Sequence, residues 1–262
     1  MANATTLTDI MDPARAQALA VSLGMPDIAD TMPPFFHQIY FWDPVENAGL
    51  GRDGHPKVGQ GIMPDMGLPR RMWAGGRLEF HTPVRLGQIA EKTSAVDKTA
   101  HKEGRSGPLG FVTLRHDIHQ NNKICVTEYQ DIVYLNDPAP DARPATPPMA
   151  RNDGEILLER SFSSTDLFRY SALTFNGHRI HYDLDYCREV EGYDGLVVHG
   201  PLLAQMLMLL AERALGPLTS FEFRATAPAL HGEHIAFCLG TDGAMWVSGP
   251  DGRQCMQAVA RI

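Results

Sequence analysis

The residues best equipped for chemistry lie in two neighbouring stretches, Tyr170–Cys187 (YSALTFNGHRIHYDLDYC) and Gly195–Leu203 (GLVVHGPLL). The first holds a polar cluster, Asn176, His178, His181 and Asp183, in which His181 stands between Ile180 and Tyr182. The second sets His199-Gly200-Pro201 at the head of an apolar run. An imidazole, with an ordinary pKa of about 6.5, moves protons at neutral pH. A helix N-terminus presents free N–H groups that can hold a developing oxyanion. Pro201 has no N–H, so that task narrows to Gly200 and, behind it, Leu202.

A metal is not expected. His178-x-x-His181 and His116-x-x-His119 have no third ligand close by in the chain, and the second pair would point to opposite faces of a strand. The four cysteines, Cys125, Cys187, Cys238 and Cys255, are far apart and without a CxxC pair, which reads as buried, reduced thiols of a cytoplasmic protein. A formal charge of −8 argues against nucleic acid as the main partner. The N-terminus has no cationic start followed by an apolar run, and Pro201–Ala211, interrupted by Gln205, is too short to span a bilayer. No membrane partner is therefore expected.

The elements that must position these residues form two echoing sets. Leu78–Gly87 (LEFHTPVRLG) and Phe223–Gly232 (FRATAPALHG) share the separation of Pro and Gly. Strand-like runs follow each: Gly110–His119 and Ile124–Tyr134 in the first set, Ile235–Leu239, Ala244–Gly249 and Gln254–Ile262 in the second. Hairpin turns are predicted at Asn122-Lys123 and Asp251-Gly252. Short helices are predicted over Pro13–Leu23 and, behind Ser163-Ser164-Thr165, over Asp166–Leu173. Asn136–Pro148 (NDPAPDARPATPP) reads as a linker, dividing the chain into domains 1–135 and 149–262. The pattern is a duplicated α+β unit. Pro201–Leu215 is apolar almost all round and should be a buried helix wrapped by a curved sheet. Its counterpart in the first half is read at Gly59–Gly76 (GQGIMPDMGLPRRMWAGG), where Pro64, Gly67 and Pro69 forbid a long helix. One active site per chain is expected.

LTFNGHRIHYD together with GLVVHGPLL resembles the MaoC-like, double-hotdog branch of the enoyl-thioester hydratases and dehydratases. FWDP and LPRRMWAGG are similar to that branch's N-terminal dehydratase-like domain, and the mesaconyl-C4-CoA hydratases and mitochondrial-type 3-hydroxyacyl-thioester dehydratases are the nearest subfamilies. The resemblance implies a double hotdog and a hydro-lyase acting on an acyl-CoA, with no cofactor beyond the CoA of its substrate; it leaves a homodimer open. The wider family carries Gly-Asp-x-Asn-Pro-x-His. Its histidine falls on His181, its aspartate on Asn176, and its Asn-Pro on His178 and Arg179. An amide cannot take a proton. Asn176 is then left to orient water, with His181 as the acid–base group and Gly200 holding the thioester oxygen.

Arg70, Arg71 and Trp73, read as a loop, would bind CoA phosphates or a substrate carboxylate, with Arg179 as a competing carboxylate partner. Asp183 reads as a structural acceptor, and His199 as either a substrate contact or a shaper of the turn. The favoured substrate is a short branched C4-thioester of the mesaconyl type. The alternatives are a linear 3-hydroxyacyl thioester on CoA or acyl carrier protein, and binding of a thioester without turnover.

Overall fold

The computed structural model describes residues 4–25, 27–59, 61–104, 107–137 and 146–262. Ten strands make one antiparallel sheet: β1 (Thr5–Ile10), β2 (Arg70–Phe80), β3 (Ile89–Gly104), β4 (Gly107–Gln120), β5 (Lys123–Leu135), β6 (Glu155–Arg160), β7 (Ser220–Ala225), β8 (Ile235–Leu239), β9 (Ala244–Ser248) and β10 (Gln254–Arg261). Their order is β1-β3-β4-β5-β2-β7-β10-β9-β8-β6. Strands β1–β5 precede the Pro-rich segment and β6–β10 follow it, so the pairing of β2 with β7 (Leu78 opposite Phe221) is the seam between two five-stranded halves. This is an α+β double hotdog. The Pro-rich segment itself falls largely on residues 138–145, outside the described residues.

The helices form where local chemistry starts and stops them. Helix α1 (Pro13–Leu23) begins with Pro13 behind Asp12, whose carboxylate accepts from Ala14 N–H at 2.9 Å, and ends at Gly24 with φ of 81°. Helix α2 (Ser164–Leu173) opens with a reciprocal box between Ser163 and Asp166. The short α3 (Leu184–Tyr186) is capped by Asp183. Helix α4 (Gly200–Leu215) is the spine, its buried residues running from Leu202 to Met208 without a break. One apolar cluster joins α4 to β2, β4, β7 and β10, including Leu78, Ile118, Leu207, Phe221 and Met256. Each such side chain contributes about 1.5–3 kcal/mol on burial. The one polar residue in that run, Gln205, reaches the first half and donates to Pro34 O at 2.7 Å.

The duplication is visible bond by bond. His81 and Thr82 N–H both meet Cys125 O, and Thr226 and Ala227 N–H both meet Cys255 O. Met32 N–H meets Val84 O, and Val198 N–H meets Ala229 O; Leu86 N–H meets Asp30 O, and His231 N–H meets Leu196 O. Leu78–Gly87 and Phe223–Gly232 therefore correspond in the register expected from their sequences.

That register corrects the position of the lost helix. Met32 matches Val198, which sets Pro33 against His199 and Pro34 against Gly200. The counterpart of α4 is the single 3-10 turn Phe36–Ile39, entered through Phe35 at φ of 68°. It is not the segment Gly59–Gly76, whose basic end Arg70–Trp73 belongs to β2 rather than to a loop. Among the described residues no α-helix lies between Leu23 and Arg70. The first hairpin turn also moves by one residue, to Asn121-Asn122, whose φ values of 52° and 59° are those of a type I′ turn. The four cysteines are free and buried.

Candidate active site

The sequence around His181 folds as a string of small turns. Phe175 turns the chain out of α2 at φ of 51°. Asn176 Oδ1 accepts from His178 N–H at 2.9 Å, an Asx turn that aims the next residues inward. Arg179–His181 then forms one 3-10 turn. Asp183 closes it, accepting from Tyr186 N–H at 3.0 Å and from Arg179 Nη2 at 2.7 Å. The amide oxygen of Asn176 is thus committed to its own loop, and Asp183 is the structural acceptor its sequence suggests.

His181 is buried, and its Nδ1 lies 2.7 Å from Val197 O. A carbonyl can only accept, so Nδ1 carries the proton and Nε2 presents a lone pair. Burial, with the nearby His178 adding to it and the bond to Val197 opposing it, lowers the pKa of His181 to about 3. The ring is therefore a neutral base at pH 7. His199 lies flat against it, with centroids 3.5 Å apart and planes 20° from parallel. His199 is fully buried, lies 2.8 Å from Ser171 Oγ, and is held neutral by burial first and by His181 and His178 next. His199 is the residue before α4, so this stack fixes His181 against the helix N-terminus. An added Cβ on Gly200 would meet nothing within 4 Å, so the first turn of α4 opens onto free space. Its leading N–H groups have no intrahelical acceptor and a positive partial charge.

The arginines are placed differently from one another. Arg70 pairs with Glu191 at 2.5 Å and Arg71 donates to Pro56 O at 2.5 Å, both from the start of β2. Arg70 Nε is buried without a protein acceptor. Arg179 faces outward, engaged by Asp183 and Arg52 O and lying over the Tyr186 ring. Trp73 sits against Phe35 and Phe223 and donates to Gly75 O at 2.8 Å.

Sequence spacing missed the contribution of residues 51–56. Arg179 N–H donates to Asp53 O at 2.9 Å and Arg179 Nη1 to Arg52 O at 3.1 Å. Gly54, at φ of 86°, packs so closely on Gly177 that a Cβ would overlap its carbonyl. Trp42 adds a stack on Phe175, with centroids 5.2 Å apart. The result brings His55 to 4.5 Å from His178, which lies 5.5 Å from His181. Asp53, His55 and His178 each place a ligand-type atom within 4.8 Å of the others. Considering only histidines close in sequence could not reveal this. The Gly-rich loop GRDGHP, with an acid and a histidine at its tip, was the available signal.

Fold and site together define a hotdog enzyme of the hydratase and dehydratase type, with a buried neutral histidine stacked beside one helix N-terminus. The chain belongs to the hydroxyacyl-thioester dehydratase type 2 family, whose model matches residues 35–231. It is 40% identical over 255 residues to a mesaconyl-C(4)-CoA hydratase of Chloroflexus aurantiacus, covering 95% of this chain and 90% of that one. It is 28% identical to the mitochondrial hydroxyacyl-thioester dehydratase type 2 of Schizosaccharomyces pombe, covering 83% and 80%. The crystal structure of HtdX of Mycobacterium tuberculosis superposes with a TM-score of 0.72 at 16% identity over 99% of both chains. A second M. tuberculosis protein, described as having a double hotdog fold, matches with a TM-score of 0.62 at 15% identity over 99% and 94%. No helix among the described residues is long and apolar enough to cross a membrane.

Proposed function

We propose that the chain adds water reversibly to the double bond of mesaconyl-C4-CoA, giving a malyl-type CoA ester, with His181 as the acid–base group. The observation that carries this reading is the tautomer of His181: Nδ1–H is held by Val197 O, which leaves a lone pair on Nε2, and the ring is stacked on His199, the residue before α4. Water gives its proton to Nε2 while its oxygen bonds to the β-carbon. The electron pair of the double bond moves toward the thioester oxygen, where the Gly200 N–H stabilises the enolate; a donor of this kind is worth about 3–4 kcal/mol of barrier. Nε2 then delivers the same proton to the α-carbon. Burial opposes a lasting imidazolium, which favours quick return of the proton. Dehydration is the same path reversed.

The dicarboxylic acyl group is supported by the Chloroflexus relative and by Arg70 and Arg71, two mostly buried cations at the start of β2. The four reduced thiols accord with a cytoplasmic setting. The family match keeps a linear 3-hydroxyacyl thioester as the second reading. Loss of enoyl-thioester absorbance in the near ultraviolet, with mesaconyl-C4-CoA and crotonyl-CoA offered in parallel, separates them. Fast loss with the mesaconyl ester alone is expected. Fast loss with crotonyl-CoA would transfer the assignment to linear substrates, and loss with neither would leave a binding protein.

A further inference from the structure

His55 Nδ1 is buried and has no hydrogen-bond partner. Its nearest carboxylate oxygen, Asp53 Oδ2, is 3.7 Å away, beyond hydrogen-bonding distance. A buried ring nitrogen left unpaired is unfavourable, so its presence calls for a guest. The guest has three neighbours, since Asp53, His55 and His178 all present polar atoms within 4.8 Å of one another. Groups that each lie about 2.8 Å from one shared oxygen, spread tetrahedrally, sit about 4.6 Å apart. A water molecule fits that spacing and satisfies the partners a buried water needs. Charge also favours a neutral guest. Arg71 Nε stands 3.7 Å from Asp53 Oδ2 and already offsets the one carboxylate that would attract a divalent cation.

The position is a telling one for a hydration, the reading on which this inference rests. Asn176 occupies the place of a family aspartate but spends its oxygen on His178 N–H, and an amide takes no proton. The carboxylate missing there reappears at Asp53, carried on a loop of the opposite half that is hydrogen-bonded to Arg179, two residues from His181. We propose that Asp53, His55 and His178 hold the reactant water next to His181, so that the first half of the chain completes the active site of the second.

The test is steady-state kinetics of His55→Ala and Asp53→Asn, with wild type and Asp137→Asn as references; Asp137 is the exposed partner of Arg52 on the same loop. Loss of a water-positioning group lowers kcat about a hundredfold in both reaction directions. In His55→Ala, KM for the thioester and the Kd of an unreactive saturated acyl-CoA stay within about threefold, since Arg71 keeps its pairing with Asp53. Asp53→Asn keeps shape and reports even where His55→Ala folds poorly, and Asp137→Asn keeps wild-type activity. A raised KM at unchanged kcat would make the loop an acyl-binding element and overturn the assignment. So would one equivalent of a transition metal in the active wild type, lost together with activity on chelation and absent from His55→Ala. A wild type inert toward every enoyl thioester would take down the hydration reading and this assignment with it. An active wild type beside fully active variants would overturn this assignment alone.

Discussion

The two halves enter their central helices through matching backbone bonds and then part ways. In the second half His199-Gly200-Pro201 leads into sixteen residues of α4. In the first, Pro33 and Pro34 stand at the places of His199 and Gly200, and the helix is reduced to the turn Phe36–Ile39. Proline has no N–H, so the first half has neither the imidazole nor the donor at that point. What it gains is length. The chain released from the helix runs from Tyr40 to Pro69, stacks Trp42 on Phe175, and docks residues 51–56 on the turn Arg179–His181. One half keeps the helix and the stacked histidines at its head, and the other turns its own helix into a brace for them.

The sharpest break of that comparison is His181→Ala. General acid–base contributions run to about 10²–10⁴-fold. We expect a loss of kcat of about a thousandfold with a melting temperature lowered by only a few degrees, since the variant gives up the bond to Val197 O and the stack on His199 but no contact within the sheet. A near-wild-type rate in the same absorbance assay would refute His181 as the base.

Gly200→Pro comes next, because it copies the first half into the second. The site before it, His199, already has φ of −57° and ψ of 126°, which suits a residue preceding proline. Removing one oxyanion donor costs about 10²–10³ in kcat. Gly200→Ala, whose Cβ meets open space, serves as the folding control by calorimetry.

Gly54→Ala probes the brace. A Cβ there would overlap Gly177 at a positive φ, so the loop must lift from the catalytic turn. A kcat lowered about tenfold or more, with a melting temperature down by a few degrees, is the expected pair of readings. If kcat is unchanged while the loop is shown by proteolysis to have lifted, the brace has no catalytic part.

The pH response sharpens the picture further. His55, His178, His181 and His199 all have lowered pKa values, with burial as the first cause of each. In the unfolded chain they take up protons as pH falls through about 6.5, while the native state stays unprotonated. The neutral native rings therefore contribute fully above that pH, and stability is lost progressively toward the folded values of about 3 at His55, His178 and His181. The kcat profile should show no acid limb near pH 6.5, and thermal melts should fall steadily below it. An ordinary histidine limb in kcat would place His181 in contact with bulk water. The smallest effect is at the joint between halves: Gln205→Leu loses the bond to Pro34 O and should cost about 1 kcal/mol, a shift of about 2–4 °C.

Much of this was legible from residue order. The pairing of Pro83 with Pro228 and Gly87 with Gly232 gave the repeat, because the same hydrogen bonds need the same turns. That His181 lies beside the start of α4 was equally plain, since the turn that carries it and the helix are neighbours in sequence. Three features were hidden for physical reasons. Arg70 and Arg71 looked like a loop because Pro64, Gly67 and Pro69 just before them break any helix, but the β5 ladder holds them extended. The helix remnant was misplaced because Phe35 adopts a positive φ that no apolar pattern announces. Asp53 and His55 meet His178 across more than a hundred residues, a juxtaposition set by the seam between β2 and β7 and not by any local motif.

That seam has a consequence for mass action. The surface joining the halves is written into one chain, so its two sides are held at a fixed effective concentration and cannot part on dilution. A helper without a long helix of its own could drift away if it were a separate subunit. Tethered, it remains at its post, and the turnover per molecule should be the same at nanomolar as at micromolar enzyme.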